Sequence, residues 1–353
     1  MIPTEPIGSI PRPQELVDGM AAFGRGEISA GELEQLQDRA VRDTIERFEA
    51  TGSPVISDGE QTKSSFATYP LEGLANLAPN GAVIPFADGH TRQLPRLTSG
   101  PFRFGRHADG YLEAAGRYAH VPVKQAVIAA SALSLIYPQD GLDGYGRDQF
   151  LDDLVDACEQ DIRRSLDGGA HVVQIDFTEG RLSLKLDPSG GLLRDFVALN
   201  NRVLDRFSAG ERARIGVHTC PGGDQDSTHS ADVGYAGLLP DLFGMKAGNV
   251  YVMLAGEADR ARALRLIAQH LRPEQRVFVG VTDPIDPAVE SPEQVRDRVL
   301  EAADRLPKDR LGTTDDCGFS PFGDDDSTSR EVAFEKIRAR IDGTKLAGER
   351  LGL

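Results

Sequence analysis

The feature that most constrains the fold is a repeated alternation of a short apolar run, a polar loop and a helical stretch. Eight apolar runs, mostly rich in Val and Ile and bounded by Gly, Pro or Asp, occur at the Ile7 region and at residues 54–57, 126–130, 171–175, 215–218, 249–254, 277–281 and 311–314. Such runs predict buried parallel strands. Between them, apolar residues recur at helical spacing over residues 31–50, 150–166, 257–271 and 291–306.

Eight strands with intervening helices predict an α/β fold, a single (β/α)8 TIM barrel over residues 1–353. An open doubly wound sheet is the alternative, but no G-x-G-x-x-G pattern follows the first run. Residues 71–120 are rich in Pro, Gly and polar groups. We expect them to be an insertion between strands two and three, either a hairpin or a lid over the barrel mouth.

The balance of charges excludes several classes of partner. The net charge is −16, from 55 acidic and 39 basic residues. A chain this acidic repels phosphate backbones and anionic lipids, so we expect no nucleic acid and no membrane partner. No apolar run is long enough to span a bilayer, and residues 1–6 do not resemble a signal peptide. The three cysteines are too few for a disulfide framework and predict a reducing, cytoplasmic location.

Two motifs carry metal-ligand chemistry. His218 and Cys220 form a His-x-Cys at the end of the fifth run, and Cys317 lies in an Asp-Cys-Gly after the eighth. In a barrel both ends face the same mouth, so these side chains are expected to meet there. Imidazole and thiolate are the ligands that Zn²⁺ prefers, and a site with an open position can hold a substrate thiol as a nucleophile. Cys158, on the apolar face of a predicted helix, is interpreted as a core residue.

Most of the other runs also end in polar groups. The acids among them are Asp58, Glu60, Asp176, Glu257, Asp283 and Asp316. Any single Asp here could simply cap the helix that follows its loop, which is a frequent structural role. Their joint occurrence at one face of a barrel favours binding or catalysis.

These segments occur in the order found in cobalamin-independent methionine synthase. The chain resembles the C-terminal catalytic barrel of that family over nearly its whole length, and most of all the short single-barrel forms called methionine synthase II. The resemblance rests on Ile-Gly-Ser at residues 7–9, Asp-Gly-Glu at 58–60, the strand end at Asp176, and the His-x-Cys and Asp-Cys-Gly motifs. It implies a zinc site made of His218, Cys220, Glu257 and Cys317.

The resemblance also implies the reaction, which is transfer of a methyl group to the zinc-bound thiolate of homocysteine to give methionine. In the family, homocysteine is held by the Ile-Gly-Ser segment, here Ile7 and Ser9. Two acids bind its amino group, and these correspond to Glu60 and Asp176. A buried ammonium group needs such carboxylate partners.

Two departures from the family concern the methyl donor. The longer synthases have an N-terminal barrel that helps hold the folate, and this chain is expected to lack it. They also have a His after strand seven that protonates the departing folate nitrogen, whereas residues 280–286 contain none. Asp283 is the candidate acid there.

The methyl donor stays open between methylfolate, methylcobalamin and a corrinoid protein. Because a cobalt(I) corrinoid departs without a proton, we expect transfer from a corrinoid to be faster than from 5-methyltetrahydrofolate.

Three other functions remain open at this point. An enzyme similar to epoxyalkane:coenzyme M transferase would use the same zinc chemistry on a sulfonated thiol, with Arg12 and Lys63 as cationic partners. A zinc-free barrel similar to uroporphyrinogen decarboxylase would need Arg clusters and no His-x-Cys. A binding protein without activity would be metal-free, with unreactive cysteines.

Overall fold

The computed structural model describes residues 1–353 and has a parallel β-sheet at its centre. Its strands are β1 (Leu77–Ala78), β2 (Val83–Pro85), β3 (Thr91–Gln93), β4 (Arg96–Leu97), β5 (Gln125–Ile128), β6 (Val173–Asp176), β7 (Ile215–Thr219), β8 (Gly223–Asp224), β9 (Ser227–Thr228), β10 (Asn249–Val252), β11 (Arg276–Thr282) and β12 (Leu311–Asp315). Six of them form the sheet in the order β12-β11-β10-β7-β6-β5, with every pair parallel.

The helices are α1 (Gln14–Gly24), α2 (Ala30–Ala50), α3 (Asp109–Gly116), α4 (Ala130–Leu133), α5 (Arg147–Asp167), α6 (Glu179–Leu186), α7 (Gly191–Leu204), α8 (Ala209–Arg212), α9 (Leu239–Leu242), α10 (Arg260–His270), α11 (Pro292–Ala303) and α12 (Arg330–Leu351). All four predicted helices are present as α2, α5, α10 and α11. Ser291 caps α11, with Pro292 as the first helical residue, as the sequence predicts. No helix is both long enough and apolar enough to cross a membrane.

The expected α/β fold is confirmed, but the first two apolar runs are not regular strands. They are extended segments, each joined to one edge of the sheet by a single bridge, Thr4 with Thr313 and Ile56 with Val123. The two segments meet where the Ile10 N–H donates to the Gly59 carbonyl at 3.0 Å. The first segment is rich in proline, at positions 3, 6, 11 and 13. Proline lacks the N–H that a strand ladder requires, which explains the irregular pairing.

The centre of the sheet contains a buried polar cluster. Tyr251 stacks on Phe278 at 4.6 Å between ring centroids, and the Lys124 ammonium lies 3.4 Å from the centre of the Tyr251 ring. Lys124 is also 3.4 Å from Glu5, which accepts a hydrogen bond from the Tyr251 hydroxyl at 2.5 Å. Burial alone would raise the pKa of Glu5, but Lys124, His171 and Tyr251 together lower it to about 2. Glu5 is therefore a buried carboxylate near neutral pH.

Residues 71–120 contain the short strands β1 to β4 and helix α3. Strands β2 and β3 form an antiparallel hairpin. Arg92 in this hairpin is paired with Asp224, which lies beyond the end of β7. The hairpin is thereby attached to the loop that carries the His-x-Cys motif. Its function as a lid stays a prediction.

Candidate active site

The His-x-Cys and Asp-Cys-Gly motifs meet at the carboxyl end of the sheet. His218 lies in β7, Cys220 directly follows that strand, and Cys317 lies two residues beyond β12. One ligand atom from each of the three residues lies within 4.8 Å of the others. The two sulfur atoms are 2.8 Å apart, and both cysteines are free thiols. All three side chains are buried.

Neighbouring groups hold these side chains in place. The Gly222 N–H donates to Cys220 Sγ at 3.3 Å. Position 318, directly after Cys317, requires glycine, because a Cβ atom there would lie 2.1 Å from Ser9 Oγ. The glycine of the Asp-Cys-Gly motif thus lets the Ile-Gly-Ser segment approach the candidate metal ligands.

The chemistry of the three groups fits zinc. Two thiols and an imidazole are its preferred donors, and His218 Nδ1 is already 3.2 Å from Asp176 Oδ1, the kind of contact that orients metal-binding histidines. Burial alone would lower the pKa of His218, but Asp176 and Cys317 raise it overall. The contact with Cys220 and burial raise the pKa of Cys317 well above its usual range. A bound cation reverses this effect, because it favours the thiolate.

Glu257 is not a member of this group of three. Its Oε2 accepts a hydrogen bond from Arg181 at 2.7 Å, and the Arg181 guanidinium lies 3.7 Å from the centre of the Tyr235 ring. The carboxylate is therefore already neutralised by a buried arginine. A role for Glu257 as the fourth ligand stays a prediction.

A cavity of about 570 Å³ opens beside the candidate metal ligands. The four residues predicted to bind substrate all line it, together with two of the candidate metal ligands: Ile7, Ser9, Glu60, Asp176, His218 and Cys317. Apolar side chains from α1, from the β2–β3 hairpin and from β5 form much of the remaining wall. The structure thus places the four predicted substrate residues and two of the candidate metal ligands around one space.

Each of the two predicted amine-binding acids has one carboxylate oxygen that accepts no hydrogen bond. Asp176 Oδ1 accepts from Gln174 at 2.7 Å and contacts His218, which leaves Oδ2. Glu60 Oε1 is bonded to Lys63 at 3.0 Å, which leaves Oε2. Glu60 has a φ of 57°, a conformation that non-glycine residues seldom adopt. Backbone strain of this kind is often found where a side chain is held for function.

Asp283 is not among the residues that line the cavity. Its Oδ1 accepts a hydrogen bond from the Ile285 N–H at 3.0 Å, so it shapes the loop after β11. Burial raises the pKa of this carboxyl. The role of Asp283 as a proton donor stays a prediction, because this residue does not line the cavity.

No specific contact is assigned to Asp316 from the sequence, and Glu179 is not among the residues considered there. Asp316, treated there as a possible helix cap, accepts hydrogen bonds from three successive N–H groups, those of Leu254, Ala255 and Gly256, at 2.7–2.8 Å. Glu179 is buried, lines the cavity and begins α6. Acids are common in the first turn of a helix, so no sequence signal separates Glu179 from an ordinary first-turn residue.

Comparison with known proteins agrees with the geometry. Residues 2–332 match the family model described as cobalamin-independent synthase, catalytic domain. A methionine synthase of Saccharolobus solfataricus is 20% identical over 99% of this chain and 96% of its own length.

Two solved structures are also similar, at identities that show the fold alone. A B12-independent methionine synthase from a Shewanella species, in complex with selenomethionine, has a TM-score of 0.78 at 18% identity and covers 99% of both chains. A putative vitamin-B12 independent methionine synthase from Listeria monocytogenes has a TM-score of 0.72 at 21% identity, over 98% of this chain and 99% of its own. Because the family model spans nearly the whole sequence, the chain belongs to the family of cobalamin-independent synthase catalytic domains.

Proposed function

We propose that the protein is a zinc-dependent methyltransferase that methylates the thiol of homocysteine to give methionine. The observation that carries the proposal is the cluster of His218, Cys220 and Cys317, two members of which, His218 and Cys317, line one cavity with Glu60 and Asp176. Membership of the family supports a methyltransferase. The metal and the acceptor are inferred from the chemistry of these side chains.

The free carboxylate oxygens of Glu60 and Asp176 favour an acceptor with an amino group. The two cations that a sulfonated thiol would need are already engaged. Arg12 donates to four backbone carbonyls, and Lys63 donates to Glu60 and to the Ala126 carbonyl at 3.0 Å. Neither side chain lines the cavity. Homocysteine therefore suits this cavity better than coenzyme M.

The charges along the cavity also disfavour a decarboxylase of uroporphyrinogen type. Arg92 is the single arginine in the lining, and it is paired with Asp224 and Asp324. A substrate with several carboxylates would find no free cationic partner. A decarboxylase of this type would also make no use of the cluster of His218, Cys220 and Cys317.

Each residue has a definite task in the proposed reaction. Bound to His218, Cys220 and Cys317, zinc would lower the pKa of the substrate thiol and favour its thiolate. Glu60 and Asp176 bind the substrate ammonium and so orient the sulfur atom. Asp176 also fixes the His218 ring through Nδ1. The apolar walls exclude water from the space in which the methyl group is transferred.

The acceptor can be identified directly at the metal. The zinc-loaded protein is titrated with homocysteine and, separately, with coenzyme M, and X-ray absorption is recorded at the zinc edge. We expect a new zinc–sulfur bond with homocysteine at lower concentration, followed by methionine formation when a methyl donor is added. A new bond formed only with coenzyme M, or a protein that binds no zinc, would refute the proposal.

A further inference from the structure

Gln174 is a buried residue of β6 that contacts two parts of the cavity wall without lining the cavity itself. Its Nε2 donates to Asp176 Oδ1 at 2.7 Å and to the Ile7 carbonyl at 3.1 Å. Both partners are acceptors, so the contacts fix the orientation of the amide, and both of its N–H bonds are used. Side chains two positions apart lie on the same face of a strand, which brings this amide beside Asp176.

The backbone that Gln174 contacts is held by side chains, because its prolines prevent a regular strand. The carbonyls of residues 6, 7 and 8 accept hydrogen bonds from Lys124 at 2.9 Å, Gln174 at 3.1 Å and Ser57 at 2.6 Å, respectively. Of these three donors, Gln174 alone also bonds an acid that lines the cavity. It therefore links the Ile-Gly-Ser segment to Asp176.

The neutral amide leaves the charge of Asp176 available to a ligand. Glu60, the other predicted amine-binding acid, is paired with the Lys63 ammonium at 3.0 Å. Burial alone would lower the pKa of Lys63, but Glu60 and Asp58 raise it overall, so Lys63 stays a cation. A cation at position 174 would cancel the charge of Asp176 in the same way, and a carboxylate there would repel it. Gln174 gives Asp176 a hydrogen bond without either effect.

The contact with Gln174 also fixes the direction of the Asp176 carboxylate. Gln174 and His218 both contact Oδ1, and Oδ2 accepts no hydrogen bond. The last torsion angle of an aspartate has no sharp preference of its own, so its partners set the position of the free oxygen. Without Gln174, the carboxylate would be held by His218 alone.

We propose that Gln174 is a positioning residue that makes the cavity selective for a thiol with an amino group. The inference rests on the proposed function, in which Asp176 binds the ammonium group of homocysteine. Gln174 acts through Asp176, because it does not line the cavity. Its bond to the Ile7 carbonyl anchors the amide, so that Asp176 and the Ile-Gly-Ser segment keep a fixed separation.

The test measures how much the amino group of the acceptor contributes to binding. Homocysteine and 4-sulfanylbutanoate have the same thiol and carboxylate and differ only in the amino group. Both are titrated calorimetrically into the zinc-loaded protein, and the ratio of their Kd values gives the contribution of the amine. In the wild type, homocysteine should bind at least about a hundredfold more tightly, because two carboxylates hold its ammonium group.

Gln174→Met removes both N–H donors at nearly the same side-chain length. It should lower the ratio by about tenfold or more, since an acid that is free to turn binds the ammonium less well. A general loosening of the cavity would weaken both thiols and leave the ratio unchanged. Gln275→Met is the matched control. Gln275 is also buried, and its Nε2 also donates to two acceptors, the Met245 and Ala247 carbonyls, so its loss should leave the ratio unchanged.

A double-mutant cycle shows whether Gln174 acts through Asp176. Asp176→Asn alone should lower the ratio, and the addition of Gln174→Met should lower it little further, because both changes remove the same interaction. The proteins are compared at equal zinc content, since Asp176 also contacts His218. Should Gln174→Met fail to fold, Gln174→Glu carries the test. It keeps the side-chain volume and can donate one hydrogen bond at most, so it should lower the ratio too.

The possible failures are distinguishable. A ratio in Gln174→Met or Gln174→Glu that equals the wild-type ratio would overturn the role of Gln174 while the proposed function stands. Fully additive losses in the double variant would show that Gln174 does not act through Asp176 and would overturn it as well. If the wild type binds neither thiol at the metal and forms no methionine, the proposed function fails and Gln174 loses its role with it.

Discussion

At the scale of single residues, the three cysteines differ in their surroundings and not in their degree of burial. Cys158 lies in α5, where burial raises its pKa and its neighbours belong to the apolar core. Cys220 and Cys317 face each other and His218. Cys220 and Cys317 are therefore the candidate metal ligands, and Cys158 is a buried cysteine that serves as their matched control.

Removal of either candidate thiol should remove the metal. Cys220→Ser and Cys317→Ser should each lose most of the zinc, because a hydroxyl is a poor replacement for a thiolate ligand. Cys158→Ser should keep about one zinc per chain. Metal content after dialysis, measured by atomic absorption, checks this. A Cys317→Ser protein with its full zinc content would show that the site lies elsewhere.

The two amine-binding acids should respond differently to neutralisation. Glu60→Gln should weaken homocysteine binding by tens-fold, since a hydrogen bond to a charged group contributes about 1.5–3 kcal/mol. Asp176→Asn should weaken it as well, and should also lower zinc affinity by about 10–100-fold because Asp176 orients His218. Calorimetric titrations with thiol and with zinc separate the two effects. Equal zinc affinities in the two variants would contradict the role of Asp176 at His218.

At the scale of elements, the site depends on how strand ends are joined to one another. Asp316, beyond β12, bonds three amides that follow β10, and Gly280 in β11 leaves room for it. A Cβ atom at position 280 would lie 1.8 Å from Asp316 Oδ1. One carboxylate thus joins the ends of β12 and β10 beside Cys317, and β11 lies between these two strands.

Asp316→Asn should loosen this junction. The introduced amide group would place an N–H donor against a backbone N–H, so we expect a loss of about 1–3 kcal/mol in the free energy of unfolding. Zinc should also bind more weakly, because Cys317 is the next residue. Urea unfolding and competition with a chelator provide the two measurements. Asp309→Asn, at an exposed position before β12, is the control. A variant as stable as this control would contradict the proposed role of the junction.

At the scale of the whole molecule, acid stability should depend on the buried Glu5. Its pKa is lowered from 4.5 to about 2, which corresponds to about 3 kcal/mol. A depressed pKa contributes stability that is present above pH 4.5 and is lost as pH falls through 4.5 towards 2. Glu5→Gln should therefore be destabilising at pH 7, and its deficit should shrink between pH 4.5 and 2.

Thermal unfolding as a function of pH tests this expectation. Glu15→Gln, which removes an exposed partner of Arg39, is the matched control and should have little effect at any pH. A deficit in Glu5→Gln that stays constant with pH would show that the carboxylate acts through packing and not through its charge.

The sequence predicts most of this architecture, and the exceptions have physical causes. Short apolar runs, most of them rich in Val and Ile, identify six strands because a fully buried parallel strand favours such residues. The prediction of a strand at Ile7 is wrong because the prolines around this residue prevent a regular ladder of hydrogen bonds. The clustering of His218, Cys220 and Cys317 could be predicted because few residue types are suited to bind zinc. The place of Glu179 on the cavity wall could not be predicted, because that cavity is formed by distant segments of the chain. The cytoplasmic location stays a prediction.

The way in which the first segment joins the sheet has a consequence for the order of folding. Arg12 donates to the carbonyls of Ser320 and Phe322, which lie 308 and 310 positions further along the chain, and to those of Glu60 and Lys63. Contacts between such distant residues are slow to form, because a very long loop must close first. Ser9 beside Gly318 belongs to the same late junction. We therefore expect the cavity to be completed late in folding, so that a chain arrested before that step would have its central strands but not the candidate site.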